Sequence, residues 1–224
     1  MHSFLYASSP HAVPEEIADA HRSVWHRIAS PGSWWTGTQR VEAARLTRDA
    51  RSRRSLPPWQ RADPLPEAGL LPDRAVELVL KVAVDVHALS AEWVADWVEE
   101  FGDAAYAELC AVVVCTTVID AFAEALGVDF EPLPAALPGE PDGARPEGVA
   151  EAGAFVLISK GLPGPNVAKA LGLVPLDNAA FFGLVGSMYA LKRFSELVWE
   201  EGALSRPQVE LVAARVSSVN ECFY

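Results

Sequence analysis

Seven prolines and six glycines fall within residues 131–165, a density that no regular helix or strand survives. Proline lacks the N–H that a hydrogen-bond ladder needs, and glycine weakens any element it interrupts. A second group, Pro57, Pro58, Pro64, Pro66 and Pro72, stops any helix that starts near Thr38. These breaks divide the chain into a leading stretch, 1–66, and a remainder, 67–224, that is itself split into copies of about 67–130 and 166–224. Inside the blocks the apolar residues recur at three- and four-residue spacings. They predict helices over 75–86, 91–101, 104–126, 179–201 and 207–219. Ser90, Asp103 and Ser205 stand where helix starts are expected, with Pro207 in a first turn. The run Val112, Val113, Val114 with Thr116 and Thr117 is β-branched, but strong helix formers flank it and the unit is too long for one strand. No convincing strand alternation occurs elsewhere. The expected fold is all-α: a two-repeat helical domain preceded by an arginine-rich helical arm and a proline-rich linker. The 131–165 segment is expected to be a long loop over a cleft.

Charge separates the two parts. The chain of 224 residues carries a formal net charge of −12, yet residues 1–61 hold nine arginines against five carboxylates. An acidic body disfavours nucleic acid, because phosphate neutralisation supplies most non-specific affinity. The segment RVEAARLTRDARSRR reads as a solvated helix that packs a narrow stripe of Val41, Ala44 and Leu46 while its arginines pair with the acidic body. Trp25, Trp34, Trp35 and Trp59 are expected to pin this arm to the rest. The longest apolar stretch, 109–119, is fenced by Glu108 and Asp120 and is shorter than the ~20 residues of a membrane span. The first ten residues show no basic region followed by an apolar run, so the expected location is cytoplasmic and no membrane partner is expected. Three cysteines make no disulfide framework.

A shift of 102 residues lays Asp103 on Ser205, Glu108 on Glu210, Leu109 on Leu211, Ala111 on Ala213 and Val114 on Val216. A helix start followed by a glutamate at the same distance in both copies suggests a duplicated helical unit. Asp120 in the first copy then falls opposite Cys222 in the second. Asn220 is a good N-cap, so Glu221 and Cys222 would sit in the first turn of a new helix, where free N–H groups and the helix dipole favour a thiolate. Glu210 stands twelve residues before Cys222. Its competing reading is an ion pair with Arg206 or Arg215. Cys110 and Cys115, five apart in an apolar helix, read as core thiols, and Glu108 as a structural carboxylate without a cysteine in its own copy. Tyr224 reads as a packing residue. His21, His26 and His87 share no ligand spacing, so neither a metal site nor an organic cofactor is expected.

The Glu210 to Cys222 spacing, the two-copy layout, the WWTG and RVEAAR segments near residue 40 and the ending NECFY resemble the alkylhydroperoxidase D and carboxymuconolactone decarboxylase superfamily, in particular its alkylhydroperoxidase-related (seleno)proteins. The resemblance implies a Cys-x-x-Cys or Cys-x-x-selenocysteine site whose first member is Cys222, with the second at position 225 and a histidine at position 229. Selenocysteine is encoded by UGA, so the expectation is that the chain is truncated at such a codon after Tyr224. By the same resemblance Cys222 is the resolving cysteine, position 225 the attacking one, and Glu210 part of a proton relay with the histidine. The implied activity is a thiol or selenol peroxidase or disulfide oxidoreductase acting on a peroxide with an external dithiol reductant, in a homotrimer or homohexamer. Two other classes remain open: a non-catalytic helical scaffold or interaction protein, and a helical regulator using the arginine-rich helix on DNA, which the acidic body disfavours. The chain as it stands, lacking the attacking group, is expected to be inactive.

Overall fold

The computed structural model describes residues 4, 6–54, 69–160, 166–189 and 203–219. Among the described residues the architecture is all-α: α1 (Glu15–Ala29), α2 (Gly37–Arg54), α3 (Asp73–Val84), α4 (Ala91–Phe101), α5 (Asp103–Leu126), α6 (Asn166–Lys169), α7 (Pro175–Met188) and α8 (Arg206–Val219), with a 3-10 turn at Val86–Ala88. The chain divides into two compact units, Met1–Leu184 and Val185–Tyr224, and the boundary falls within α7. α1 and α2, which precede the expected boundary at residue 66, belong to the first unit.

The first unit is built around α5. Fifteen of its residues are buried, and α1, α2, α3 and α4 all pack against it. Gly102 precedes it and Asp103 opens it, buried and paired to Arg145 at 2.7 Å rather than capping the helix. Gly127 closes it in the left-handed conformation, φ 67°, where a side chain would be strained, and its N–H satisfies the carbonyls of Ala123 and Glu124. α5 is long and apolar enough by length and composition to cross a membrane, because the helix exceeds the apolar run 109–119 at both ends. Three of its four carboxylates, Asp103, Glu108 and Asp120, are buried, and each is paired with an arginine from another segment. That is the arrangement of a packed core helix.

α2 corrects the expectation of a solvated helix. Arg40, Ala43, Ala44, Leu46, Thr47 and Ala50 are all buried, and the helix lies against α1, α3 and α5. Its arginines do pair with the acidic body, Arg48 with Asp120 through two bonds of 2.8 Å and Arg51 with Glu124 at 3.2 Å. α1 lay outside the expected helices; its buried stripe Ala18, His21, Val24, Trp25 and Ile28 has helical spacing with a histidine in the seam. Thr36 opens α2 with a capping box: its N–H donates to Gln39 Oε1 and the Gln39 N–H to Thr36 Oγ1. Ser90 caps α4 as expected, accepting from the Trp93 N–H at 3.2 Å.

Residues 131–148 form an irregular strap held by long-range backbone bonds. The Leu137 N–H donates to Ala29 O and the Gly143 N–H to Ser33 O, both at 2.8 Å, while Trp25 Nε1 donates to Pro132 O at 2.9 Å. The expected unbroken loop also contains two short strands, β1 (Val149–Ala150) and β2 (Ile158–Ser159), antiparallel with Val149 opposite Ser159. Trp35 is anchored like Trp25, its indole N–H donating to Ala105 O at 3.0 Å; Trp59 lies outside the described residues. The expected helix 179–201 is observed as α7, starting at Pro175, and its second half lies outside the described residues.

Candidate functional site

The two glutamates related by the 102-residue shift have opposite surroundings. Glu210 lies one turn into α8, whose start is fixed by Ser205: the Ser205 N–H and Oγ both donate to Gln208 Oε1, at 2.8 and 3.0 Å. The Glu210 carboxylate is exposed. It accepts from the Tyr189 hydroxyl at 3.1 Å and from Arg206 Nε at 3.4 Å. Of the two arginines weighed as ion-pair partners, Arg206 is the one that reaches it, at four-residue spacing. Burial and the bond to Glu210 raise the Tyr189 phenol above its ordinary value, which keeps it a hydrogen-bond donor at neutral pH. α8 has no buried residue among those described. Cys222 and Tyr224 lie outside the described residues.

Glu108 is fully buried. One oxygen accepts from Arg40 Nη1 at 2.5 Å, and the other accepts the backbone N–H groups of Ser33 and Trp34 at 2.9 Å each. Arg40, equally buried, gives its second arm to Asp177 at 2.5 Å and also donates to Arg27 O at 3.2 Å. Arg27 closes the chain on Asp177 with bonds of 3.1 and 2.7 Å. Two guanidinium groups and two carboxylates from α1, α2, α5 and α7 thus alternate in sign, which offsets the heavy desolvation cost of each. Burial opposes the charge on Arg40, but Asp177 and Glu108 outweigh it and hold its pKa above the ordinary value. Burial pushes the Glu108 carboxyl up against the pull of Arg40. Gly32 makes the seat possible: a Cβ there would stand 1.6 Å from Glu108 Oε1 and 2.7 Å from Arg40 Nη1.

Sequence reasoning placed Glu108 as structural but missed Arg27, Arg40, Asp177 and Gly32. The available signal was small residues, Ala43 and Ala44, one turn from Arg40, which leave room for a guanidinium to be covered. Cys115 is buried and Cys110 partly covered, and burial pushes both up to about 12, which holds them as neutral thiols at neutral pH. Among the described residues no group of three or more His, Cys, Asp or Glu side chains is arranged to hold a metal ion. His21 is instead a core residue whose Nδ1 meets the Tyr6 hydroxyl, and burial lowers its pKa to about 4.

No protein-family model, curated protein or solved structure matches this chain. The resemblance to alkylhydroperoxidase-related proteins expected from residues 36–45 and 204–224 and from the two-copy layout finds no support in these comparisons. The first of those segments opens α2 and contributes Arg40.

Proposed function

We propose that the chain carries the glutamate and resolving-cysteine part of an alkylhydroperoxidase-like redox centre, with Glu210 handling protons and Cys222 as the resolving thiol. The attacking thiolate or selenolate, implied at position 225, cleaves the peroxide O–O bond, taking one oxygen as a sulfenic or selenenic acid while the other leaves as an alcohol after protonation. Cys222 then displaces water to form the S–S or Se–S bond, and an external dithiol reduces that bond by exchange and is itself oxidised to a disulfide. The supporting observation is the contrast between copies. Glu210 is open to solvent and holds a phenol and a guanidinium, so it can accept and pass a proton, whereas Glu108 is sealed by Arg40 and two backbone N–H groups.

The test uses a chain continued with cysteine or selenocysteine at position 225 and histidine at 229. Peroxide should yield a Cys222-to-225 bond, read by mass spectrometry of proteolytic fragments. Glu210→Gln should slow the cysteine version by ~10²–10⁴, the usual loss for a general acid–base group. If both residues stay reactive to alkylation after peroxide, the redox reading is wrong.

The exposed face of α8 favours a second reading, an interaction helix: Leu211 is 70% exposed, Val212 57%, Val216 54% and Val219 61%. Contiguous apolar surface of this kind marks contact sites. Light scattering of the 224-residue chain and of a Leu211→Glu, Val212→Glu variant separates the two readings, because loss of an oligomer with no redox chemistry supports the scaffold alone.

A further inference from the structure

Ser33 joins two parts of the first unit through its backbone. Its N–H donates to the buried Glu108 carboxylate at 2.9 Å, and its carbonyl accepts from the Gly143 N–H of the strap at 2.8 Å. The strap residue before that contact is Asp142, and Asp142–Gly143 is the only Asp-Gly pair in the chain. Both residues are exposed, Gly143 stands at φ 65°, and nothing lies within 4 Å of where its Cβ would be. The Asp142 carboxylate accepts from the Ala144 N–H at 2.9 Å and from the Ser33 side chain, and these two bonds hold its carboxyl below the ordinary carboxylate range. Arg145 completes the attachment with bonds of 2.7 and 2.8 Å to the two oxygens of Asp103.

An Asp-Gly pair carries its own reaction. The glycine nitrogen attacks the aspartate Cγ, the carboxyl oxygen leaves as water, and a five-membered succinimide forms. Water then opens the ring, and opening at the α-carbonyl leaves the chain running through Cβ and Cγ as isoaspartate. One water leaves and one enters, so the net change is an isomerisation with nothing oxidised or reduced. Glycine favours the attack because no side chain shields its nitrogen. The ring closes when that nitrogen is free to turn on Cγ and lose its proton, and when the carboxyl is protonated. The seated strap denies both conditions: the nitrogen is committed to Ser33 O, and the carboxylate is kept ionised by Ala144 and Ser33. We propose that Asp142–Gly143 is a modification site guarded by Ser33, stable while the strap is seated and converting to isoaspartate, which cannot seat again, when the strap lifts. The extra backbone carbon displaces the Gly143 N–H by about 1.5 Å, the length of one C–C bond. A 2.8 Å contact moved that far is no longer a hydrogen bond. Arg145, two residues further on, loses its alignment with Asp103 in the same step.

The experiment ages the full chain in mildly acidic buffer, folded in one arm and unfolded in guanidinium chloride in the other. Isoaspartate at position 142 is read by electron-transfer mass spectrometry of the peptide that contains it, with Asp142→Glu, which cannot close a five-membered ring, as the blank. The folded chain should convert about tenfold more slowly than the unfolded one, or slower still, because it reacts only from the fraction in which the strap is open. Arg145→Gln removes one tie at a side chain that is 39% exposed. It should speed the folded chain about three- to tenfold and leave the unfolded rate unchanged. In the isoaspartyl chain the Gly143 amide should exchange with deuterium about tenfold faster than in the unmodified chain. The proposal is overturned if folded and unfolded chains convert at the same rate, if neither forms isoaspartate, or if the isoaspartyl chain keeps its Gly143 amide as protected as before. An unchanged folded rate in Arg145→Gln would also overturn it.

Discussion

Under the 102-residue shift α5 and α8 carry a glutamate at matching positions, yet their starts differ and one buries fifteen residues while the other buries none. The difference begins with what surrounds the glutamate. Around Glu108 the chain supplies an arginine from α2, a second carboxylate from α7 with its own arginine, and a glycine whose missing Cβ leaves room for the carboxylate. Around Glu210 it supplies one phenol and one guanidinium on a solvent-facing helix. A carboxylate enclosed that completely serves to lock four helices in register, and a carboxylate left open can do chemistry. Duplication followed by this divergence would turn one copy into scaffold and leave the other free for a site.

The largest blow to the comparison is Arg40→Ala. It leaves two buried carboxylates competing for what Arg27 alone can offer, and the expected loss is about 3–5 kcal/mol in urea unfolding. A loss under about 1 kcal/mol would mean the network relaxes and Glu108 is no more essential than Glu210. Acid tests the same unit from the side of α1. His21 is neutral and buried in the fold with a pKa near 4, whereas unfolded it titrates near 6.5. The unfolded chain therefore binds the extra proton first, and stability should fall by about 3 kcal/mol as pH drops from 7 to 4. His21→Gln should flatten that slope; an unchanged slope would place the titrating group elsewhere. Gly32→Ala comes next, at about 1–3 kcal/mol, because its methyl group must displace the Glu108 carboxylate. Smallest is Glu210→Ala, expected within about 0.5 kcal/mol since its partners are solvated. A larger loss would show that the open glutamate also holds structure.

Much of the helical framework was readable because α4 and α5 obey local rules: apolar residues at helical spacing and, for α4, a serine cap. What stayed hidden is non-local. Arg40 looks like a surface residue until a carboxylate 137 positions later is known to meet it. The strap 131–148 was recognisable as irregular from its prolines, but its order comes from backbone bonds to Ala29 and Ser33 that no composition reveals. α1 carries a helical stripe whose seam includes His21, a polar residue that disguises the pattern. The open glutamate was singled out by its twelve-residue distance to Cys222, and the structure defines its immediate partners.

The span from Arg40 to Asp177 also has a consequence for how the protein is made. At about 5–20 residues per second, a ribosome that has finished α2 needs on the order of ten seconds before residue 177 exists. During that interval the emerging α1, α2 and α5 hold one guanidinium whose second carboxylate has not yet been synthesised. The nascent core must therefore stay loose, or keep Arg40 wetted, until α7 emerges. Completion of the unit is timed by translation of one aspartate, and a slow codon run just before it would lengthen the window in which the apolar face of α5 is open to chaperones or to aggregation.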